Sequence, residues 1–345
     1  MIRWRIEALS RERERRGAFH YGYNDIISLE NLFASWKEFL RGKRKRKDIA
    51  RFALHLTDNI ISLHRELAEK IYQHGPYRAF KINDPKPRDI HKASVRDRLV
   101  HHALCRILGP YFEGKFIFDS YSCRVDKGTH RAMNHLRDFA RKVSRNHTRT
   151  VWALKCDIRK FFANIDHVIL KKILEKYIAD VDALWLLRQI VDSFHTKEKP
   201  GVGLPLGNLT SQLLVNIYMN EFDQFTKRDL KMRHYVRYAD DFVVVHERRN
   251  DLKNIVPKIV TFLKTKLKLE LHPGKLSIAA LASGVDFLGW VHFPHCRVLR
   301  TATKKRMFKR LNASHKKEEA AISYHGLLSH GDAHKLTKRI ELVMV

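Results

Sequence analysis

The segment Tyr235-Val-Arg-Tyr-Ala-Asp-Asp-Phe-Val-Val-Val245 leaves a chain few ways to fold. Branched and aromatic residues on both sides of a short centre read as two strands joined by a turn, and that centre is an acidic pair. Two adjacent carboxylates repel by about 1 kcal/mol in water and by more in a low dielectric. A hydrated turn is the plain explanation of an Asp-Asp pair. Apolar strand on both sides makes such a turn poorly placed, and no second Asp-Asp pair occurs in the sequence. A cation is therefore expected beside Asp240 and Asp241.

A third acid has a similar setting. Val151-Trp-Ala-Leu-Lys-Cys-Asp157 reads as a mostly buried strand that ends on a carboxylate. If the strands ending at Asp157 and at the Asp240–Asp241 turn are neighbours in one sheet, the three acids converge. An oxygen-only cluster suits Mg²⁺, which keeps part of its shell for water and substrate phosphate. Two such ions roughly 3.5–4 Å apart clamp the attacking and leaving oxygens of a phosphoryl transfer. Oxygen donors accept Mn²⁺ as well.

Charge and composition narrow the partners. Lys and Arg number 67 against 37 Asp and Glu, a formal net charge of +30, which points to a polyanion. With 345 residues and 44% hydrophobic content, the chain is globular rather than low-complexity or disordered. Apolar runs such as Phe242–Val245 fall far short of the roughly 20 residues of a membrane helix, and the N-terminus lacks the pattern of a secretory signal. Four scattered cysteines, none in a Cys-x-x-Cys pair, give neither a disulfide framework nor a Cys-rich zinc site, so a reducing cytosol is expected.

Along the chain, Phe52, Leu56, Ile60, Leu63, Leu67 and Ile71 recur at helical steps, predicting a helical lead-in over 1–75. Arg41-Gly-Lys-Arg-Lys-Arg-Lys47 is a basic knot suited to phosphate or to a solvated turn. Prolines 76, 85 and 87 then break the pattern, and 76–98 predicts a short hairpin. Helices follow at 183–194, about 209–228 and 251–267, with a Gly- and Pro-bearing loop over 197–207. The last fifty residues are basic and amphipathic. His325, His330 and His334 match no zinc spacing.

Taken in order, these blocks resemble the reverse transcriptases. Tyr238-Ala-Asp-Asp241 is similar to their Tyr-x-Asp-Asp box, and Cys156-Asp-Ile-Arg-Lys-Phe-Phe162 to their preceding aspartate motif. Arg88-Asp-Ile, Ser120-Tyr-Ser-Cys-Arg-Val-Asp-Lys-Gly128, Gly203-Leu-Pro-Leu-Gly-Asn-Leu-Thr-Ser-Gln212, His272-Pro-Gly-Lys275 and Phe287-Leu-Gly-Trp290 complete the series from about 76 to 290. The resemblance implies an α/β right-hand polymerase with an antiparallel palm sheet backed by helices. It divides the chain into an N-terminal helical extension (1–75), a fingers–palm domain (76–292) and a short, basic helical thumb (293–345). Pro205-Leu206-Gly207, where most relatives have Pro-Gln-Gly, and Gln212 in place of a common Pro are most similar to the enzymes of diversity-generating retroelements.

From that resemblance follow the roles. Asp157, Asp240 and Asp241 are the catalytic acids and, with the Ile158 carbonyl, the ligands of two Mg²⁺ ions. Arg88 and Lys86 meet the deoxynucleoside triphosphate, Phe162 sits under its sugar, and Leu206, Gly207 and Gln212 border it. Lys275 is a candidate general acid for the departing pyrophosphate, with a solvated surface lysine as the alternative. For Phe162 the alternative is core packing. Phe287, Leu288, Gly289 and Trp290 resemble the block that grips the primer end, the aromatics offering stacking surface, against a plain core strand as the alternative.

In that family such an enzyme copies a template RNA into cDNA in the cytoplasm of a bacterium or archaeon, or from a phage, miscopies template adenines, and works with an oligomeric accessory variability determinant protein. A group II intron-like or defence-associated enzyme is the first alternative. A catalytically idle RNA-binding protein is the second, and the three intact acids speak against it.

Overall fold

A computed structural model describes residues 22–83, 87–313 and 317–344. Lys86 and the first 21 residues of the expected N-terminal extension lie outside the described residues. The chain divides into two units that it enters alternately, one formed by residues up to 117 and 160–222, the other by 118–159 and 223–345.

The first unit is mainly helical. Ser28, Ser94, Asp166 and Asp180 each cap a helix by accepting a backbone N–H in its first turn, leaving fewer orphan donors. Helices Leu29–Phe39 and Val95–Glu113 pack together, and Asn31 ties them by donating to the carbonyls of Ile26 (2.8 Å) and Ala103 (3.0 Å). The lead-in is not one continuous stripe: it divides at His55 into helices Lys47–Leu54 and Leu56–Ala68. Ile71 lies past the second and is 61% exposed, because that helix, which buries Ile60, Leu63 and Leu67, ends at Ala68 and Lys70 turns the chain with φ +57. The basic knot is largely exposed in the turn before these helices. The predicted hairpin is present as β1 (Arg78–Ile82) and β2 (Arg88–Lys92), antiparallel and largely solvent-facing. Helix Leu209–Gln224 ends earlier than the periodicity suggests and passes into a π turn at Phe225–Asp229.

The second unit holds the sheet. β3 (Trp152–Asp157), β4 (Tyr235–Tyr238), β5 (Asp241–His246) and β6 (Ser277–Ala280) are antiparallel in the order β4-β5-β3-β6. Alternation places Ala153, Val243 and Val245 on one face, where they share a core with Leu136, Phe139 and Ala140 of helix Thr129–Val143. Phe242 and Val244 alternate to the other face, and helix Arg249–Leu267 packs against β3, β5 and β6. Cover on both faces explains why Phe242–Val245 is apolar without alternation, each residue being at most 1% exposed.

A smaller sheet, β7 (Val285–Phe287), β8 (Trp290–His292) and β9 (Arg297–Leu299), follows. Trp290 and Leu299 pack with Met307, Leu311, Ala321, Leu328 and Ile340 of the three C-terminal helices. Among the described residues no helix is long and apolar enough to cross a membrane.

Candidate active site

The register of the central sheet brings the acids together. Asp157, last in β3, lies directly opposite Asp241, first in β5. Asp240 sits in the β4–β5 turn, and its carbonyl accepts the Ile158 N–H at 3.0 Å, tying the two acid-bearing segments by their backbones. The turn is tight enough that Ala239 takes φ +55, a left-handed conformation unusual for a residue with a side chain.

Two ammonium groups face the acids. Lys275 Nζ donates to Asp157 Oδ2 at 2.8 Å, and Lys155 Nζ lies 3.5 Å from Asp241 Oδ1. The His272 N–H donates to the Asp157 carbonyl at 2.8 Å, which fixes the Pro273–Lys275 turn against the end of β3. Lys275 is thus a partner of the Asp157 carboxylate. Burial lifts Asp241 to a pKa of about 7; the charges of Asp157, Asp240 and Asp286 add to the rise, and Lys155 opposes it. Asp241 Oδ1 is buried without a hydrogen-bond partner. Among the described residues no group of three or more acid, His or Cys side chains is already arranged to hold a metal ion; the acids here are faced by Lys275 and Lys155, and their oxygen donors would suit a hard divalent cation once those ammonium groups give way.

Behind the acids lies an ion pair the sequence reading missed. Arg237 of β4 and Asp223 are both fully buried. Arg237 donates from Nε to Asp223 Oδ1 (2.7 Å) and from Nη2 to Oδ2 (2.6 Å), a two-pronged contact. Its Nη1 donates to the Ala239 carbonyl at 3.0 Å and its Nη2 to Ser120 Oγ at 2.9 Å, while Tyr235 Oη donates to Asp223 Oδ1 at 2.7 Å. The guanidinium therefore braces the left-handed residue immediately before Asp240. A lone charge between Val236 and Tyr238 in an apolar strand was the available signal.

The first unit holds the other candidates. The Leu204 N–H donates to the Phe162 carbonyl and the Gly203 N–H to that of Ile165, each at 2.8 Å, so the 203–208 loop runs against the Phe161–Asn164 turn. The Leu206 carbonyl accepts the His91 N–H at 3.0 Å, and Asn208 donates to the His91 carbonyl at 2.8 Å, pinning the loop to β2. Gly207 has φ +105, and a Cβ there would lie 2.8 Å from Ile90 Cγ2, so both conformation and space call for glycine. Phe162 and Leu206 are half-buried; Arg88, Gly207 and Gln212 are exposed.

The expected stacking surface at 287–290 needs correction. Phe287 and Trp290 are at most 1% exposed and belong to two hydrophobic cores, so neither ring faces solvent. The connecting residues Leu288 and Gly289 both take positive φ and are half-buried, and Leu288 packs against both cores.

Comparison with known proteins agrees with this geometry. The family model for reverse transcriptase (RNA-dependent DNA polymerase) matches residues 81–292, more than half of the chain. The chain is 27% identical over 265 residues to Protein YkfC of Escherichia coli, covering 66% of this chain and 69% of that protein. It is 24% identical over 321 residues to the Group II intron-encoded protein LtrA of Lactococcus lactis, covering 73% of this chain but only 52% of LtrA. In fold it is similar to apo telomerase from Candida tropicalis truncated from the C-terminal domain, with TM-score 0.50 and 11% identity over 71% of this chain and 60% of that one. With three acids converging at the end of an antiparallel sheet and the family model spanning that sheet, the chain belongs to the reverse transcriptases, the RNA-dependent DNA polymerases.

Proposed function

We propose that this chain copies a template RNA into cDNA by two-metal-ion nucleotidyl transfer, and that within its family it is the adenine-mutagenising enzyme of a diversity-generating retroelement. The observation that carries the catalytic reading is the register that sets Asp157 opposite Asp241, with Asp240 in the adjoining turn. These carboxylates, with the Ile158 carbonyl, would hold Mg²⁺, or Mn²⁺ through the same oxygens. When bound, the metal supplies a more acidic primer 3′-hydroxyl and neutralises charge on the transferred phosphoryl group. Lys155 and Lys275 limit the repulsion among the acids until then. As the proposed proton donor to pyrophosphate, Lys275 would first have to release the Asp157 carboxylate to which it donates.

Arg88, Phe162, Leu206, Gly207 and Gln212 are proposed to receive the nucleotide, with Lys86, and the Leu288–Gly289 tip to approach the primer end. The division at about 75 and 292 is kept as a functional one. The mutagenic reading rests on Leu206: where most relatives carry Gln, an apolar side chain offers no hydrogen bond to check base or sugar position. Template RNA, primer and an accessory variability determinant protein are the proposed partners, and a reducing cytosol the proposed compartment. A group II intron-like role is the second reading, favoured by the similarity to LtrA.

Primer extension on an RNA template with Mg²⁺ tests the first reading. Asp240→Asn should lower the rate by about 10²–10³ or more, the scale of losing one electrostatic group in a transition state; retention of activity would refute it. Misincorporation opposite template adenine tests the second. Leu206→Gln should reduce it, and an unchanged error spectrum would favour the intron-like role.

A further inference from the structure

A second cluster of nitrogen donors, two arginines and three histidines, lies elsewhere in the unit that holds the acids. Arg137, His292, His295, Arg297 and His330 converge on a cavity of about 310 Å³ bordered by helix Thr129–Val143, the β8–β9 loop and the turn before the last helix. Leu281 also lines it, and the Leu281 N–H donates to the Val151 carbonyl at 2.8 Å. The cavity is therefore at the start of β3, on the order of 20 Å along the strand from Asp157.

Arg297 is 9% exposed and His292 beside it 4% exposed. Its Nε donates to the His330 carbonyl, while Nη1 is buried with no hydrogen-bond partner. A buried guanidinium N–H left unsatisfied is costly, and neighbouring positive charge adds to the cost. Burial, and next to it the Arg137 charge, lower the Arg297 pKa; burial and then Arg297 bring His292 down to about 4. One carboxylate, Asp332, lines the cavity, and it is exposed. Asp286, the other acid near His292, is paired with Arg300 at 2.8 Å.

We propose that this cavity is an anion site that takes a phosphate group, either free or as part of a nucleic-acid backbone. The Arg297 fork, the nearby Arg137 and imidazoles from separate loops offer donors from several directions, which suits a tetrahedral oxyanion better than a planar carboxylate. The site is independent of the polymerase reading: it shares no residue with the acids.

The test uses the whole chain in EDTA, so that no metal-assisted phosphate binding occurs at the carboxylates. Inorganic phosphate, compared with chloride at equal ionic strength, should raise the melting temperature saturably. Arg137→Ala, at an exposed helix position, should keep the native melting temperature in chloride and weaken phosphate binding by roughly tenfold, the scale of one charge-assisted contact. In parallel, a labelled 12-nucleotide RNA is titrated across salt concentrations; Arg137→Ala should reduce the magnitude of the log–log slope by about one if a backbone phosphate is held there. Loss of phosphate protection identifies a free-anion pocket, and a reduced RNA slope alone identifies a backbone contact. If Arg137→Ala leaves both unchanged, the proposal is overturned. Arg297→Gln should repeat the result where it folds; otherwise the Arg137→Ala comparison decides alone.

Discussion

Replacing Asp223 with Ala removes three hydrogen bonds at once, two from the Arg237 guanidinium and one from Tyr235, and leaves a fully buried positive charge without its counter-ion. Breaking one side of a buried pair costs about 3–5 kcal/mol, a large part of the roughly 5–15 kcal/mol that holds a native protein together. For a unit of this size that loss lowers the melting temperature by about 6–20 °C. The double variant Asp223→Ala/Arg237→Met removes both charges, and most of the lost stability should return, since an apolar replacement of a buried pair is often neutral. Activity should not return with it. The Ala239 carbonyl loses its 3.0 Å donor in the double variant, so the left-handed residue that aims Asp240 is no longer braced. The assay is therefore a melting curve and a primer-extension rate for each single variant and the double. An Asp223→Ala protein within about 1 kcal/mol of native would refute the structural argument. A double variant both stable and fully active would refute the positioning argument.

Two further outcomes follow from the same reasoning. A Cβ on Gly331 would run into Trp290 Cζ3, against a ring fixed in the core, so Gly331→Ala should cost about 1–3 kcal/mol in thermal unfolding; Gly289→Ala, whose Cβ would meet nothing nearer than 3.7 Å, pays only for its positive φ and should cost less. Burial, helped by the charge near each, holds His101 at about 3 and His292 at about 4, both below the ordinary 6.5. The folded state thus binds fewer protons than the unfolded state, so stability is complete above pH 6.5 and falls as pH drops towards the folded values, by about 2 kcal/mol for each histidine at pH 5. Melting temperatures measured in chloride from pH 7.5 to 5 should decline, and His101→Gln should flatten part of that slope; a flat native profile would contradict both assignments.

How much could be read in advance differs from element to element. The β4–β5 arms, β3 ending on Asp157, the exposed hairpin and the helices over 181–192 and 249–267 were legible because each depends on local periodicity and turn residues. The break at His55 was not, since helical spacing persists through it and only packing shows which side chains point inward. Phe287 and Trp290 were open to two readings because an aromatic in a strand looks the same whether its partner is a base or a core.

By itself, the amino-acid sequence determined the acid-bearing segments, their order and the excess of positive charge, all of which are properties of neighbouring residues or of composition. Tertiary structure alone decided that Asp157 stands opposite Asp241, that Lys275 lies on Asp157, that Asp223 neutralises Arg237 beneath the turn, and that Arg137 and Arg297 share a cavity. Each of those pairs is separated by 14 or more positions in the sequence, with Arg237 and Asp223 the nearest. Their meeting depends on strand register and helix packing, where burial across the whole sheet, rather than any local preference, selects one arrangement.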